Sequence, residues 1–326
     1  MDSVLNLGLS DVAVDALVDA GFNKRWVYDS YRRLLQMYGD VVAKLPKSEF
    51  EAEIAKAKER SGVKYDSELD ASTLKSLCDE FKGIYDAHGA TFEQDSMRQL
   101  ENAVVAVFES WNNPRAIEYR DIHRISNLLG TAVNVQQMVY GNFDENSGSG
   151  VCFTRNPADG SERIYGEFLI TAQGEDVVSG VRTPLGIDEM AGAFPGAIAG
   201  LRSVCSTLES DYKDMLDIEF TVEQGELFIL QCRVGKRTGA AAVRIATEMC
   251  AEGTITRDEA LTKVNPKILE QVLHPIFALD HADRTYAENV VAKGLPASPG
   301  AAVGVIVFNA EDAKRSKDKP CILVRE

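Results

Sequence analysis

Asp217-Ile-Glu-Phe-Thr-Val-Glu-Gln-Gly-Glu-Leu-Phe-Ile-Leu-Gln-Cys-Arg233 reads as two strands joined by a turn, and the rest of the chain is understood from it. Side chains along a strand alternate between its two faces. Asp217, Glu219 and Thr221 therefore share one face, and Ile218, Phe220 and Val222 share the other. On the return strand Gln231 and Arg233 share a face. Acids in mid-strand, beside a carboxamide and a guanidinium, are costly unless they hold something charged. Two acids suit a hard cation and an arginine suits phosphate oxygens, so a nucleotide-metal arrangement is one reading. An amphipathic hairpin with a solvated polar face is the other.

The turn bears on which reading holds. An even loop around Gln224-Gly225 would set Glu219 opposite Leu230 and split the polar group between faces. An odd loop, with Gly225 at positive φ and a bulge, sets Glu219 opposite Gln231 and Asp217 opposite Arg233. A one-residue slip flips every side chain, so burial selects the register strongly. The expectation is the odd register.

The 326 residues, 45% apolar, are enough for two domains with a sizeable core. A net charge of −15 argues against a nucleic-acid surface. The six cysteines, at 78, 152, 205, 232, 250 and 321, form no Cys-x-x-Cys, and the four histidines are scattered, so no zinc site is legible. Reduced thiols fit a cytosol-like compartment. No apolar run approaches the roughly 20 residues of a membrane span. The start, MDSVLNLGLSDV, lacks a basic region followed by an apolar one, so a cytoplasmic location is the default expectation.

Residues from about 10 to 112 carry helical periodicity. Val27, Tyr31, Leu34, Tyr38 and Val41 make one stripe, and Leu74, Leu77, Cys78, Phe81, Ile84 and Tyr85 another. Ser48 with Glu51 resembles a capping box, and Thr91 with Gln94 is expected to open the helix carrying Met97, Leu100, Val104, Val105, Phe108 and Trp111. The segment 131–140 alternates and is β-branched, which predicts a strand ending at Gln137 and Met138. A glycine- and serine-rich loop spans 141–150, and strands are predicted at 151–155 and 163–170. A looser, glycine-punctuated stretch is expected from 174 to 200. Helix returns over 236–275, with Thr256 and Glu259 as a capping box and Pro275 as its approximate end. After a polar linker, 297–308 opens a new β unit, and Cys321 to Arg325 reads as a strand without a following partner.

Backbone amides of the loop 141–150 can close over phosphates, although Asp, Asn, Ser and Gly also dominate ordinary turns. Arg155 stands at a strand end, where an anion is within reach or a structural ion pair forms. Glu175, Asp176 and Arg182 cluster among glycines. A strand end at Gln137 and Met138 offers backbone groups to an adenine edge. No Gly-x-Ser-x-Gly, paired His-Cys or Walker motif is present, and His88, His123 and His274 are not assigned as bases.

Strings that run nearly end to end carry a resemblance: YDSYRRLLQMYGDVV, FESWNNPRAIEYR, TAVNVQQMVYGN, SGSGVCFTRNP, YGEFLITAQGEDVVSGVRTP, DIEFTVEQGELFILQCRVGKRT and GLPASPGAAVGVIVF. On these the chain closely resembles the pyruvate, phosphate dikinase family. Phosphoenolpyruvate synthases share the DIEF-like and LQxR pattern but usually lack the FTRNP and NNPRAIEYR forms. The resemblance implies an α+β fold, an ATP-grasp nucleotide-binding domain with an inserted helical subdomain, followed by a truncated phosphohistidine swivelling domain. It implies the divisions 1–93 (helical subdomain), 94–237 (nucleotide-binding core, its N-terminal lobe incomplete), 238–293 (helical linker) and 294–326 (start of the phosphohistidine domain). It implies ATP and Mg²⁺ as ligand and cofactor, and phosphoryl transfer from ATP through a carrier histidine to pyruvate. Carried over by motif, Asp217 and Glu219 match the Mg²⁺-triphosphate acids, and Gln231 and Arg233 match the phosphate-side amide and arginine. Gln137 and Met138 match the adenine-side strand, the loop after Gly141 the phosphate cover, and Glu175 is a weaker match.

The departures matter for activity. The family's nucleotide domain begins before the residue matched by Met1, the Thr-x-Ser-His-Ala-Ala carrier motif falls beyond Glu326, and the substrate barrel is absent. The expectation is an internal fragment without a catalytic residue of its own and without phosphoenolpyruvate synthesis. Pyruvate and phosphate are partners of the full-length parent only, and a homo-oligomer of that parent is compatible with the reading. No nucleic acid or membrane partner is expected. The alternatives are a non-catalytic complementation fragment or a piece of a phosphoenolpyruvate synthase-type enzyme.

Overall fold

A computed structural model describes residues 3–127, 130–178, 182–272, 289–292, 301–315 and 319–324. The chain divides into two compact units, Met1–Phe143 with Ser179–Thr183, and Asp144–Val178 with Pro184–Glu326.

The first unit is helical: α1 (Asp11–Asp19), α2 (Lys24–Val41), α3 (Lys47–Ser61), α4 (Ala71–Ala87), α5 (Ser96–Glu109) and α6 (Pro114–His123). Asn23 opens α2 by accepting from the amides of Arg25 and Trp26. The expected stripe then turns inward: Val27, Tyr31, Leu34 and Tyr38 are all buried. Gly39 is required inside this helix because a Cβ there would lie 2.5 Å from Phe50 Cζ. Phe50 in turn meets Phe81 of α4 edge-on at 4.9 Å.

Two expected caps are not the ones used. The third helix starts at Lys47 with Pro46 before it and no side-chain cap, so Ser48 falls inside the first turn. Pro46 supplies a fixed φ and its carbonyl accepts from Glu49. Asp95, not Thr91, caps α5, and the Gln94 side chain accepts from the Asp11 amide at 2.9 Å instead. The predicted strand at 131–140 has no ladder: the described part of that segment carries no strand assignment. Alternation alone does not make a strand. A strand needs a partner for its amides and carbonyls, and Val135, at 64% exposed, has no packed face to define.

A charged cluster lies inside this unit. Asp29, 3% exposed, accepts from Arg32 at 2.7 Å, from Arg33 at 3.2 Å and from the Asn142 carboxamide at 3.2 Å. Burial alone would raise the Asp29 pKa, but the charges of Arg33 and Arg32 overcome it and hold the carboxyl far below its usual range. A depressed folded pKa stabilises above the unfolded value of about 3.9 and is lost as pH falls through the folded one. Acid should therefore weaken the wild-type unit below about pH 4, and Asp29→Asn should flatten that pH dependence. Urea unfolding followed by fluorescence of Trp26 and Trp111 checks this, since both tryptophans belong to this unit.

The second unit holds an antiparallel sheet in the order β3-β2-β1-β4-β5. Its strands are β1 (Gly148–Phe153), β2 (Tyr165–Ile170), β3 (Leu185–Gly186), β4 (Leu216–Glu223) and β5 (Glu226–Val234). Helices α7 (Gly174–Val178), α8 (Met190–Ala193), α9 (Pro195–Tyr212), α10 (Gly239–Ala251), α11 (Arg257–Lys263) and α12 (Pro266–Val272) complete it. One face of the sheet, with Cys152, Phe168, Ile218, Phe220 and Val222, packs on Met190, Ile198, Leu201 and Cys205 of α8 and α9. Gly148 and Gly150 serve this packing. A Cβ on Gly150 would lie 2.4 Å from Phe220 Cζ and 2.8 Å from the Glu167 carbonyl. Thr256 and Glu259 form the expected capping box of α11. The expected end at Pro275 lies outside the described residues.

Near the C-terminus, Val305–Val307 and Cys321–Leu323 pair in parallel around a helix at Ala310–Arg315. The strand expected to have no following partner pairs instead with a preceding one, in the residues read as the start of a new β unit. All six cysteines are free thiols. No helix among the described residues is long and apolar enough to cross a membrane.

Candidate functional site

The hairpin pairs Asp217 with Arg233 and Glu219 with Gln231, which is the odd register. Gly225 at positive φ and a bulge are both present as expected, but the loop is even and the bulge lies away from it. Glu223 pairs with Glu226, leaving a two-residue loop, and Gln224 and Gly225 both have positive φ, at 51° and 84°. Such a turn follows the natural twist of the flanking strands. The register changes further along, where Phe220 pairs with Ile229 but Glu219 pairs with Gln231, so Leu230 is the extra residue of a bulge. This bulge, rather than the loop length, returns Gln231 and Arg233 to the face of the two acids.

Arg233 Nε donates to Asp217 Oδ2 at 2.9 Å, and its terminal nitrogen is 3.8 Å from Glu219 Oε1. The hydrogen bond to Asp217 raises the Arg233 pKa and keeps it charged. The Arg233 side chain is 59% exposed and that of Glu219 40%, whereas Asp217 is 13% exposed. Exposed pairs of this kind contribute only about 0–1 kcal/mol. The arginine can therefore leave the acids for a stronger partner at little cost.

The same face continues across the sheet. Val151 lies opposite Glu219, and Ser149 opposite Thr221, their hydroxyls 2.9 Å apart and buried. Val177 of α7 packs with Val151 and Leu169, so α7 lies on the acid-bearing face and brings Glu175 to that side of the sheet. The structure thus gathers Asp217, Glu219, Gln231 and Arg233 in one patch, with Glu175 half-buried on the helix over the same face. Gln137 is exposed and Met138 half-buried, and both belong to the first unit. Of the loop 141–150, the last three residues are part of β1.

Arg155 is not available to an anion. Its side chain is 2% exposed and ion-paired with Glu209 at 2.9 Å, Glu248 at 3.4 Å and Glu252 at 2.8 Å. Glu209 also accepts from the Thr154 hydroxyl, and Thr154 Oγ1 accepts from the Leu216 amide, next to Asp217. A buried acid two residues before β4, Asp214, binds Arg237 and Lys263 and ties the approach to that strand to α11. Sequence reasoning missed both clusters, because their partners are 23 to 97 residues apart and share no local motif.

The class of this mixed helical and antiparallel-sheet protein is given by comparison with known families: it matches an AMP/ATP-binding domain. The family model described as "Pyruvate phosphate dikinase, AMP/ATP-binding domain" matches residues 1–190 and 196–254. Pyruvate, phosphate dikinase 1, chloroplastic, of Arabidopsis thaliana is 52% identical over all of this chain and 34% of its own length. Pyruvate, phosphate dikinase, chloroplastic, of Mesembryanthemum crystallinum is 51% identical over 100% of the chain and 34% of its own length. Pyruvate, phosphate dikinase 2 of Zea mays is 51% identical over 100% of the chain and 37% of its own length. The chain belongs to the pyruvate, phosphate dikinase family, in its AMP/ATP-binding region. It spans about a third of the length of these relatives.

Proposed function

We propose that the sheet unit binds Mg·ATP as the nucleotide-handling part of a pyruvate, phosphate dikinase. The observation that carries this reading is the convergence of Asp217 and Glu219 on one guanidinium, with Gln231 alongside. Among the described residues there is no group of three or more His, Cys, Asp or Glu side chains that could cage a metal. Magnesium needs none: it keeps several waters and binds through one or two carboxylates together with substrate phosphates. Two acids that already hold a cationic group therefore fit it.

In this reading Asp217 and Glu219 hold the cation, which supplies charge neutralisation at the triphosphate oxygens. Arg233 exchanges its carboxylate partners for phosphate oxygens, for which its planar fork is suited. Gln231 donates its amide to the phosphates. Gln137 and Met138 take the adenine side, the loop after Gly141 covers the phosphates, and Glu175 contributes from α7. The unit is of ATP-grasp type, and the domain divisions 1–93, 94–237, 238–293 and 294–326 go with it. The parent reaction is phosphoryl transfer from ATP through a carrier histidine to pyruvate. The carrier histidine of that reaction sits in a Thr-x-Ser-His-Ala-Ala string, which these 326 residues do not contain. Two of the relatives named above are chloroplastic, which sets a plastid beside the cytosol as a compartment for the parent.

Calorimetric titration with ATP, with and without Mg²⁺, tests the binding, and a coupled assay for phosphoenolpyruvate tests the activity. The expected result is weak, Mg²⁺-dependent ATP binding and no phosphoenolpyruvate. Robust turnover by the purified chain would refute the second part, and indifference to Mg·ATP the first.

A further inference from the structure

We propose that a corner made by Asp144, Ser147 and Thr171 positions the metal-side hairpin and α7, so that these residues act as positioning residues of the Mg·ATP site. This inference rests on the nucleotide reading above. The two amides in the centre of a two-residue hairpin loop have no partner within the hairpin and ordinarily face water. Here both are taken. The Gly225 amide donates to the Asn146 carbonyl at 2.9 Å, and the Gln224 amide donates to Ser147 Oγ at 3.0 Å.

Ser147, 0% exposed, is the node. Its hydroxyl donates to Asp144 Oδ1 at 2.6 Å while accepting from Gln224, and its carbonyl accepts from the Thr171 amide at 2.8 Å. Asp144 Oδ1 also accepts from the Asn146 amide at 2.9 Å, and the Asp144 carbonyl accepts from Thr171 Oγ1 at 3.2 Å. Thr171 joins the end of β2 to the start of α7 with φ at 50°. Arg124 and Lys213 have similar φ values as helix caps, and Gln224 as a turn residue. Thr171 is β-branched, for which a left-handed backbone is a true outlier that only the surroundings can impose.

The corner therefore fixes two things at once: the tip of the hairpin and the direction in which α7 leaves the sheet. With the tip held, the extra twist of the Leu230 bulge is delivered to the open half, where Asp217, Glu219, Gln231 and Arg233 lie.

The test uses the full 326-residue chain with three substitutions: Ser147→Ala, Thr171→Gly and Thr171→Asn. Amide hydrogen exchange at Gln224 and Gly225 reads the hairpin tip without nucleotide. Titrations with Mg·ATP and with ATP alone read the site. Ser147→Ala and Thr171→Gly should speed exchange at the tip about tenfold and weaken Mg·ATP binding about tenfold, as loss of a supporting shell does at metal sites. Binding of ATP without the metal should weaken too, because the corner lies in the loop taken to cover the phosphates and holds the hairpin that carries Gln231 and Arg233. Thr171→Gly removes the backbone strain, so it should melt no lower than wild type. Thr171→Asn, which tolerates φ > 0 and keeps a side-chain donor, should retain wild-type affinity within about twofold. Wild-type Mg·ATP affinity in Thr171→Gly or Ser147→Ala overturns the proposal, as does unchanged exchange at Gln224 and Gly225. A wild-type chain that binds no Mg·ATP overturns the nucleotide reading and this inference with it.

Discussion

Replacing Arg155 with methionine is expected to destabilise the sheet unit by about 3 kcal/mol. Removing one partner from a buried ion pair costs about 3–5 kcal/mol, because the remaining charge is left without compensation. Here the remainder is three carboxylates, Glu209, Glu248 and Glu252, gathered around one 2%-exposed guanidinium. Glu248 and Glu252 are 33% and 37% exposed, so water screens part of their repulsion and the lower end of the range applies. Arg155→Lys should fall between, since an ammonium cannot reproduce the fork that reaches α9 and α10 together. Urea unfolding curves of the wild type and both variants provide the measurement. A loss below about 1 kcal/mol would mean that the clamp contributes no more than a surface ion pair.

The second large effect concerns the acids. Asp217→Asn combined with Glu219→Gln should lower Mg·ATP affinity by at least ~100-fold, since even residues that merely support metal ligands are worth 10–100-fold. Fold stability should change little, because these side chains face outward from the core built by Ile218 and Phe220. Arg233→Met should separate the two ligands. With the guanidinium gone, Asp217 and Glu219 are freed for a divalent cation alone, whose affinity rises, while triphosphate affinity falls. Affinities for Mg²⁺ and for Mg·ATP moving in the same direction would show that Arg233 is not the element that switches between acids and phosphate.

How much of this was legible in the sequence differs from element to element. The pairing of Asp217 with Arg233 and Glu219 with Gln231 follows from burial, because only that register keeps charged groups off the core face. A bulge was expected, but its place at Leu230 did not follow, because an extra residue can sit at the turn or anywhere along the ladder with the same consequence for alternation. The eighteen-residue α9 begins inside the glycine-punctuated stretch 174–200 and runs on to Tyr212. Ala197, Ile198, Leu201 and Cys205 recur there at helical spacing, and Pro195 opens the helix. That signal was present and was outweighed by glycine content. The strand expected at 131–140 failed for the opposite reason: its local pattern was good, but pairing is a long-range property. Arg155 shows the limit most plainly. At a strand end an arginine suits an anion or a carboxylate equally, and the three glutamates that claim it lie 54 to 97 residues away. The four polar residues of the hairpin were readable because a strand brings them together locally. The corner at Ser147 and Thr171, which joins three separate segments, was not.

The central claim is that the polar patch of β4 and β5 holds the cation of a nucleoside triphosphate. The most direct measurement replaces Mg²⁺ with paramagnetic Mn²⁺ in the presence of ATP and follows line broadening of assigned backbone amides. Broadening that begins at residues 217–219 and 231–233, and disappears in the Asp217→Asn, Glu219→Gln variant, is the result predicted here. Broadening centred elsewhere, or undiminished when both acids are neutralised, would contradict it.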